Sequence, residues 1–166
     1  MPSKKSKSRQ PLSHLWKEEP NCSEAVLAGL ASTLALELGP TDRIFLEGPM
    51  GAGKTTFARA LIEALGVSQP PEGSPSFAIA HEYYSKRGEV IHIDFYRIKD
   101  ETEIDDAGIP SYFWERQVLV ICEWLSLWPV FQASIIRSTS EPAKIWRIQL
   151  DFSTDETRRA VKIEIL

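Results

Sequence analysis

Arg43-Ile44-Phe45-Leu46-Glu47-Gly48-Pro49-Met50-Gly51-Ala52-Gly53-Lys54-Thr55-Thr56 is the stretch on which the fold turns. Its first part, Arg43 to Glu47, is short and apolar at its centre, and is bounded by Pro40 and Gly48, as a buried strand would be. Its second part, Gly48 to Thr55, matches Gly-x-x-x-x-Gly-Lys-[Ser/Thr]. Beyond it Phe57, Leu61 and Leu65 share one helical face from Lys54 to Leu65, and Gly66 stands where a left-handed helix stop is expected. Strand, glycine loop and helix in that order are the context that gives the motif its meaning.

The chemistry of that motif follows from its residue types. Glycines let backbone N–H groups turn inward around phosphate oxygens, at a helix N-terminus whose dipole favours anions. We therefore expect a nucleoside triphosphate in a cradle of Gly48, Gly51, Ala52 and Gly53. Lys54 would reach the β- and γ-phosphates, the Thr55 hydroxyl would be a ligand of Mg²⁺, and Thr56 would add a hydroxyl toward the α-phosphate.

Working outward, Leu27, Leu30, Leu34 and Leu38 form one face of a helix capped by Ser23 and ended by Gly39-Pro40. Residues 68–75 hold three prolines and a glycine, and predict a loop. Phe77 to Tyr84 and Val90 to Tyr96 read as extended, joined by a turn at Lys86-Arg87-Gly88. Asp100 to Asp106 predicts a short helix closed by Gly108-Ile109-Pro110. Val118 to Cys122 is continuously apolar, as in a central strand covered on both faces. Trp146, Ile148, Leu150 and Phe152, then Val161, Ile163 and Ile165, alternate with polar residues, as in strands with one wet face. The expected architecture is a single α/β domain of the P-loop NTPase type over residues 21–166, a central mixed sheet with helices on its faces and antiparallel C-terminal strands. Residues 1–20, carrying Lys4, Lys5, Lys7 and Arg9, are expected to be a basic, disordered tail.

Bulk composition narrows the partners. The 166 residues are 43% hydrophobic and 25% charged, ordinary for one globular domain. The formal net charge of −4 argues against a surface that binds nucleic acid chiefly by neutralising phosphates, so any RNA connection is indirect or local. Two cysteines, Cys22 and Cys122, lack metal-ligand spacing and suit a reduced, cytoplasmic setting. No apolar run approaches the ~18 residues of a membrane span.

A P-loop needs a carboxylate near its metal, and two are available, Asp94 and Glu123. A period of two puts His92, Asp94 and Tyr96 on one strand face, while Glu123 sits where a buried strand emerges. The simpler alternatives, a salt bridge to Arg97 for Asp94 and a solvated strand end for Glu123, carry less weight than a place near the metal. Trp124 could cover the site, although a core aromatic is the simpler reading. Ser74 to Phe77 lies where nucleotide-sensing loops are found, and its hydroxyls could face the metal or the γ-phosphate; an ordinary proline turn explains it as well.

Taken together, Gly-x-x-Gly-Ala-Gly-Lys-Thr-Thr at 48–56, Ser-Pro-Ser-Phe at 74–77, His-Ile-Asp-Phe-Tyr-Arg at 92–97, Gly108-Ile109 with Tyr112-Phe113, Glu123-Trp124 and the Arg158-Arg159 pair resemble the TsaE family of bacterial ATPases. The resemblance implies a Mg²⁺-dependent ATPase that acts with TsaD-type and TsaB-type partners in threonylcarbamoyladenosine modification of tRNA. It would hydrolyse ATP to ADP and phosphate to reset the partner complex, weakly alone and faster with its partners, without making the modification itself. It also implies Lys54 and Thr55 as phosphate and Mg²⁺ ligands, Glu123 in the Mg²⁺ shell, and Asp94 near the γ-phosphate as the residue needed for hydrolysis. Ser76 departs from the family's common threonine but keeps a hydroxyl.

Two other P-loop classes share this cradle. A translation-type GTPase needs an Asn-Lys-x-Asp guanine reader, and the only asparagine is Asn21, ahead of the P-loop. A small-molecule kinase stays open; it should show an arginine-rich lid, and Arg137, Arg147, Arg158 and Arg159 fall on or beside expected strands.

Overall fold

A computed structural model describes residues 13–67 and 79–166. The helix and strand around the P-loop lie where the spacing puts them. Helix α1 (Glu24–Glu37) starts at Ser23, whose hydroxyl accepts from the Val26 amide. Strand β2 (Arg43–Glu47) leads through the glycine loop into α2 (Lys54–Ala64). Then come β3 (Ala80–Ser85), β4 (Gly88–Asp94), α3 (Glu101–Asp106), α4 (Ile109–Trp114), β5 (Leu119–Glu123), α5 (Pro129–Ser138), β6 (Ile145–Phe152) and β7 (Arg159–Ile165).

One sheet carries them all. With β1 (His14–Cys22) at one edge, its seven strands run β1-β7-β6-β2-β5-β4-β3. The central strands β6, β2, β5 and β4 are mutually parallel, and β1, β7 and β3 are added antiparallel. Parallel pairing brings the carboxyl ends of β2, β5 and β4 to one edge, which is where open α/β sheets place their ligands. In register, Asp94 of β4 lies directly beside Glu123 of β5.

Both faces are packed, as the continuous apolar runs require. Helices α1 and α2 cover one face, burying Leu27, Leu34, Phe57 and Leu61 against Ile44, Trp146 and Ile148. Helices α3 to α5 cover the other, with Phe45, Ile91, Val120 and Cys122 beneath Ile104, Ile109 and Ile135. Arg87, in the β3–β4 turn, donates to the carbonyls of Ala35 and Leu38 at 2.6 Å each, supplying the cation that the last turn of α1 lacks. Cys22 and Cys122 are free thiols, both buried.

Four expectations need correction. Residues 14–20 are not part of a tail, because His14–Cys22 pairs with β7 from Cys22↔Arg159 to His14↔Ile165. The strand escapes a reading by alternation because it is mostly exposed; Pro20 is tolerated near a register shift at the sheet edge, and Trp16 is held edge-on against Trp146 at 5.8 Å. The tail expectation for residues 1–12 lies outside the described residues. Strand β4 stops at Asp94 instead of continuing to Tyr96, since the Asp94 carboxylate accepts from the Tyr96 amide and turns the chain into one 3₁₀ turn, Phe95–Arg97. Helices α4 and α5 were not foreseen, and Arg137 belongs to α5, not to a strand. Among the described residues no helix is long and apolar enough to cross a membrane.

Candidate functional site

The glycine loop is shaped by its neighbours as much as by its own sequence. Gly48 sits at φ +139°, and a Cβ there would lie 2.0 Å from the Leu150 carbonyl oxygen of β6. Gly51 and Gly53 also have positive φ, at 79° and 97°. Gly53 is the cap of α2, and no side chain caps that end. The first-turn amides of an eleven-residue helix are therefore left to an anion. Arg159 braces the loop from β7, donating to the Gly51 carbonyl at 3.1 Å with its guanidinium 4.7 Å from the Phe152 ring.

Lys54 is only 4% exposed. Its Nζ donates to the Gly48 and Pro49 carbonyls at 2.8 Å each and lies 3.7 Å from the Trp124 ring centroid. Burial holds its pKa below the usual lysine value, and the charges of Glu123 and Asp94 oppose that shift. Trp124 stands at φ +61°, a conformation rarely adopted by a bulky residue, and stacks on Tyr96 at 5.0 Å. It lines the site, and its partly buried ring also packs against the core beneath α3 to α5, so both expectations for this residue hold.

Next to the lysine, Thr55 Oγ1 donates to Glu123 Oε2 at 2.8 Å. Glu123 is 1% exposed, and its other oxygen, Oε1, lies 2.8 Å from His92 Nε2. Asp94 is half-buried beside it. Burial raises the Asp94 pKa above the usual aspartate value, the hydrogen bond from the Tyr96 amide lowers it, and the Glu123 charge raises it further. Lys54, Thr55 and Glu123 border a cavity of about 210 Å³ that Gly51, Gly53 and Trp124 also line. A second cavity of about 170 Å³, between Cys22-Ser23, Leu27, Thr56 and Arg159, opens on the other side of the α2 N-terminus.

The structure thus gathers Gly48, Gly51, Ala52, Gly53, Lys54, Thr55, Thr56 and Glu123 at one sheet edge with Asp94 alongside. Ser74 to Phe77, including Ser76, lies outside the described residues. Sequence reading missed His92 as the partner of Glu123. The period of two did place it on the Asp94 face, which was the available signal.

A family model described as "Threonylcarbamoyl adenosine biosynthesis protein TsaE" matches residues 22–160. A protein of Aquifex aeolicus named tRNA threonylcarbamoyladenosine biosynthesis protein TsaE is 42% identical over 91 residues, 53% of this chain and 68% of the relative. Its namesake in Bacillus subtilis is 39% identical over 98 residues, 59% of this chain and 60% of that protein. The crystal structure of Bacillus subtilis YdiB superposes with a TM-score of 0.62 at 25% identity, covering 92% of this chain and 84% of the other.

Proposed function

The chain belongs to the TsaE family, and from that premise we propose that it is a Mg²⁺-dependent ATPase serving tRNA threonylcarbamoyladenosine modification. In this reading it works with TsaD-type and TsaB-type partners in the cytoplasm and hydrolyses ATP to ADP and phosphate to reset their complex. The observation that carries the reading is the meeting of Thr55 and Glu123 at 2.8 Å beside the buried Lys54, on a P-loop whose helix end has no side-chain cap.

The donor set fits Mg²⁺. Thr55 commits its proton to Glu123, which leaves its lone pairs for a cation. Both residues offer oxygen, the ligand type a hard cation takes. Among the described residues no group of three or more His, Cys, Asp or Glu could hold a metal unaided. Thr55 and Glu123 would therefore hold Mg²⁺ jointly with phosphate and water oxygens, the sharing typical of this ion. Bound there, it would neutralise charge on the β- and γ-phosphates. Lys54 would leave its carbonyl partners for the same phosphates, and the 170 Å³ cavity beside Thr56 is the space open to the nucleoside. The net charge of −4 supports a role through partner proteins in preference to direct tRNA binding.

Asp94 would accept a proton from, or orient, the attacking water. Asp94→Asn keeps an acceptor for the Tyr96 amide and is expected to leave ATP affinity within about threefold while cutting turnover about a hundredfold. The raised Asp94 pKa means that its contribution to stability is greatest below the ordinary aspartate value and falls as pH rises through the folded-state value. At neutral pH the variant should consequently melt no lower than the parent. Normal hydrolysis by Asp94→Asn would reassign the acid.

The decisive experiment measures ATP hydrolysis by the full chain alone and with TsaD and TsaB counterparts. Weak basal activity that rises on their addition is the expected result. No rise with either partner would remove the partner-dependent reading and return the kinase alternative.

A further inference from the structure

We propose that His92 is the positioning residue of the metal site, the group that holds Glu123 in the orientation it needs toward Thr55 and Mg²⁺. The proposal rests on the ATPase reading above and adds to it a residue that touches neither nucleotide nor metal.

His92 is 2% exposed and Glu123 1% exposed, so the two face each other without water. A carboxylate only accepts hydrogen bonds, so the 2.8 Å contact places the imidazole proton on Nε2, donating to Glu123 Oε1. The opposite nitrogen, Nδ1, is buried and finds no partner among the described residues. Among the described residues the bond to Glu123 is thus the whole polar return on burying this ring, where an apolar side chain would fill a central strand at lower cost.

The geometry divides the labour between the two oxygens of Glu123. Oε1 is tied back to β4 by His92, and Oε2 is turned outward to Thr55. In register, His92 pairs with Ile121 of β5, two residues before Glu123, so the imidazole reaches along the strand to the carboxylate from behind. Without that anchor the buried carboxylate would have, among the described residues, only the Thr55 hydroxyl to hold it, and that hydroxyl belongs to the first turn of α2 at the cavity itself. Partners of this kind, one bond removed from a metal, typically change metal affinity by about 10- to 100-fold.

The test is the Mg²⁺-dependent part of ATP affinity, measured by calorimetry on the full chain with MgCl₂ and again with EDTA. In His92→Phe the affinity in EDTA, which depends on the loop and Lys54, should stay within about threefold of the parent, and the enhancement by Mg²⁺ should fall about tenfold or more. His92→Gln, which retains an N–H donor, should recover part of it, and in a Glu123→Gln background His92→Phe should have no further effect. His92→Leu serves as a second apolar replacement should the phenylalanine impair folding. A folded apolar variant with the parent's Mg²⁺ enhancement overturns the proposal, as does an added loss in the Glu123→Gln background. A parent chain that binds no ATP in either buffer overturns the ATPase reading itself and the proposal with it.

Discussion

Lys54→Ala is expected to weaken ATP binding about a thousandfold, an effect of ~4 kcal/mol on the affinity. The magnitude follows from where the ammonium sits. It is almost wholly buried, it lies over the Trp124 ring, and its current partners are two carbonyls of the loop that would cradle the phosphates. A charge already stripped of water meets a phosphate with little further desolvation, so its removal takes away most of a strong, weakly screened interaction. Alanine also leaves the Gly48 and Pro49 carbonyls facing the phosphates with no cation between them. Isothermal calorimetry with Mg²⁺ and ATP is the direct measurement, and unchanged affinity would sink the central claim about this site. Stability should change little, since burial already disfavours the charged lysine.

Gly48→Ala is the variant expected to damage the fold most. Its Cβ would be built 2.0 Å from the Leu150 carbonyl oxygen, and that atom is backbone of β6, which cannot rotate away. Either β6 or the loop must move, and the residue must also hold φ at +139°, where L side chains are strained. Crowding and strain each cost about 1–3 kcal/mol, so a total loss of about 2–6 kcal/mol and a melting temperature lower by roughly 10 °C are expected. Gly53→Ala separates the two causes. Gly53 has φ at +97° but nothing within 4 Å of the added carbon, so only the strain remains, about 1 kcal/mol. Equal melting temperatures for the two variants would show that contact with β6 does not constrain the loop.

Most of the framework around the P-loop could be read from residue spacing. Buried parallel strands are apolar throughout, and β2 and β5 announced themselves as Ile44-Phe45-Leu46 and Val118 to Cys122. The helices α1 and α2 were bounded by Ser23, Gly39-Pro40 and Gly66, which act within a turn or two of themselves. Helix α5 was missed although Pro129 at its start is a standing signal for a first helical turn. Strand β1 was missed for a sounder reason. Its hydrogen bonds come from β7, more than a hundred residues away, and its own residues carry no period of two.

The site divides along the same line. Identity of the proposed phosphate cradle is local information, because Gly48 to Thr55 are contiguous and their backbone amides would do the binding. Asp94 and Glu123 were candidates by residue type and strand-end position alone, each with a simple structural alternative. Only the tertiary structure made them neighbours, through the parallel pairing of β4 with β5. The same pairing set His92 behind Glu123, turned Trp124 over Lys54, and brought β6 so close to Gly48 that no side chain fits there. By itself, then, the sequence determined that this chain has a P-loop between a strand and a helix, since those signals act over a few residues. Which carboxylate meets Thr55, and what holds that carboxylate in place, was decided by strand order, because contacts between residues far apart in the chain exist only once the sheet has formed.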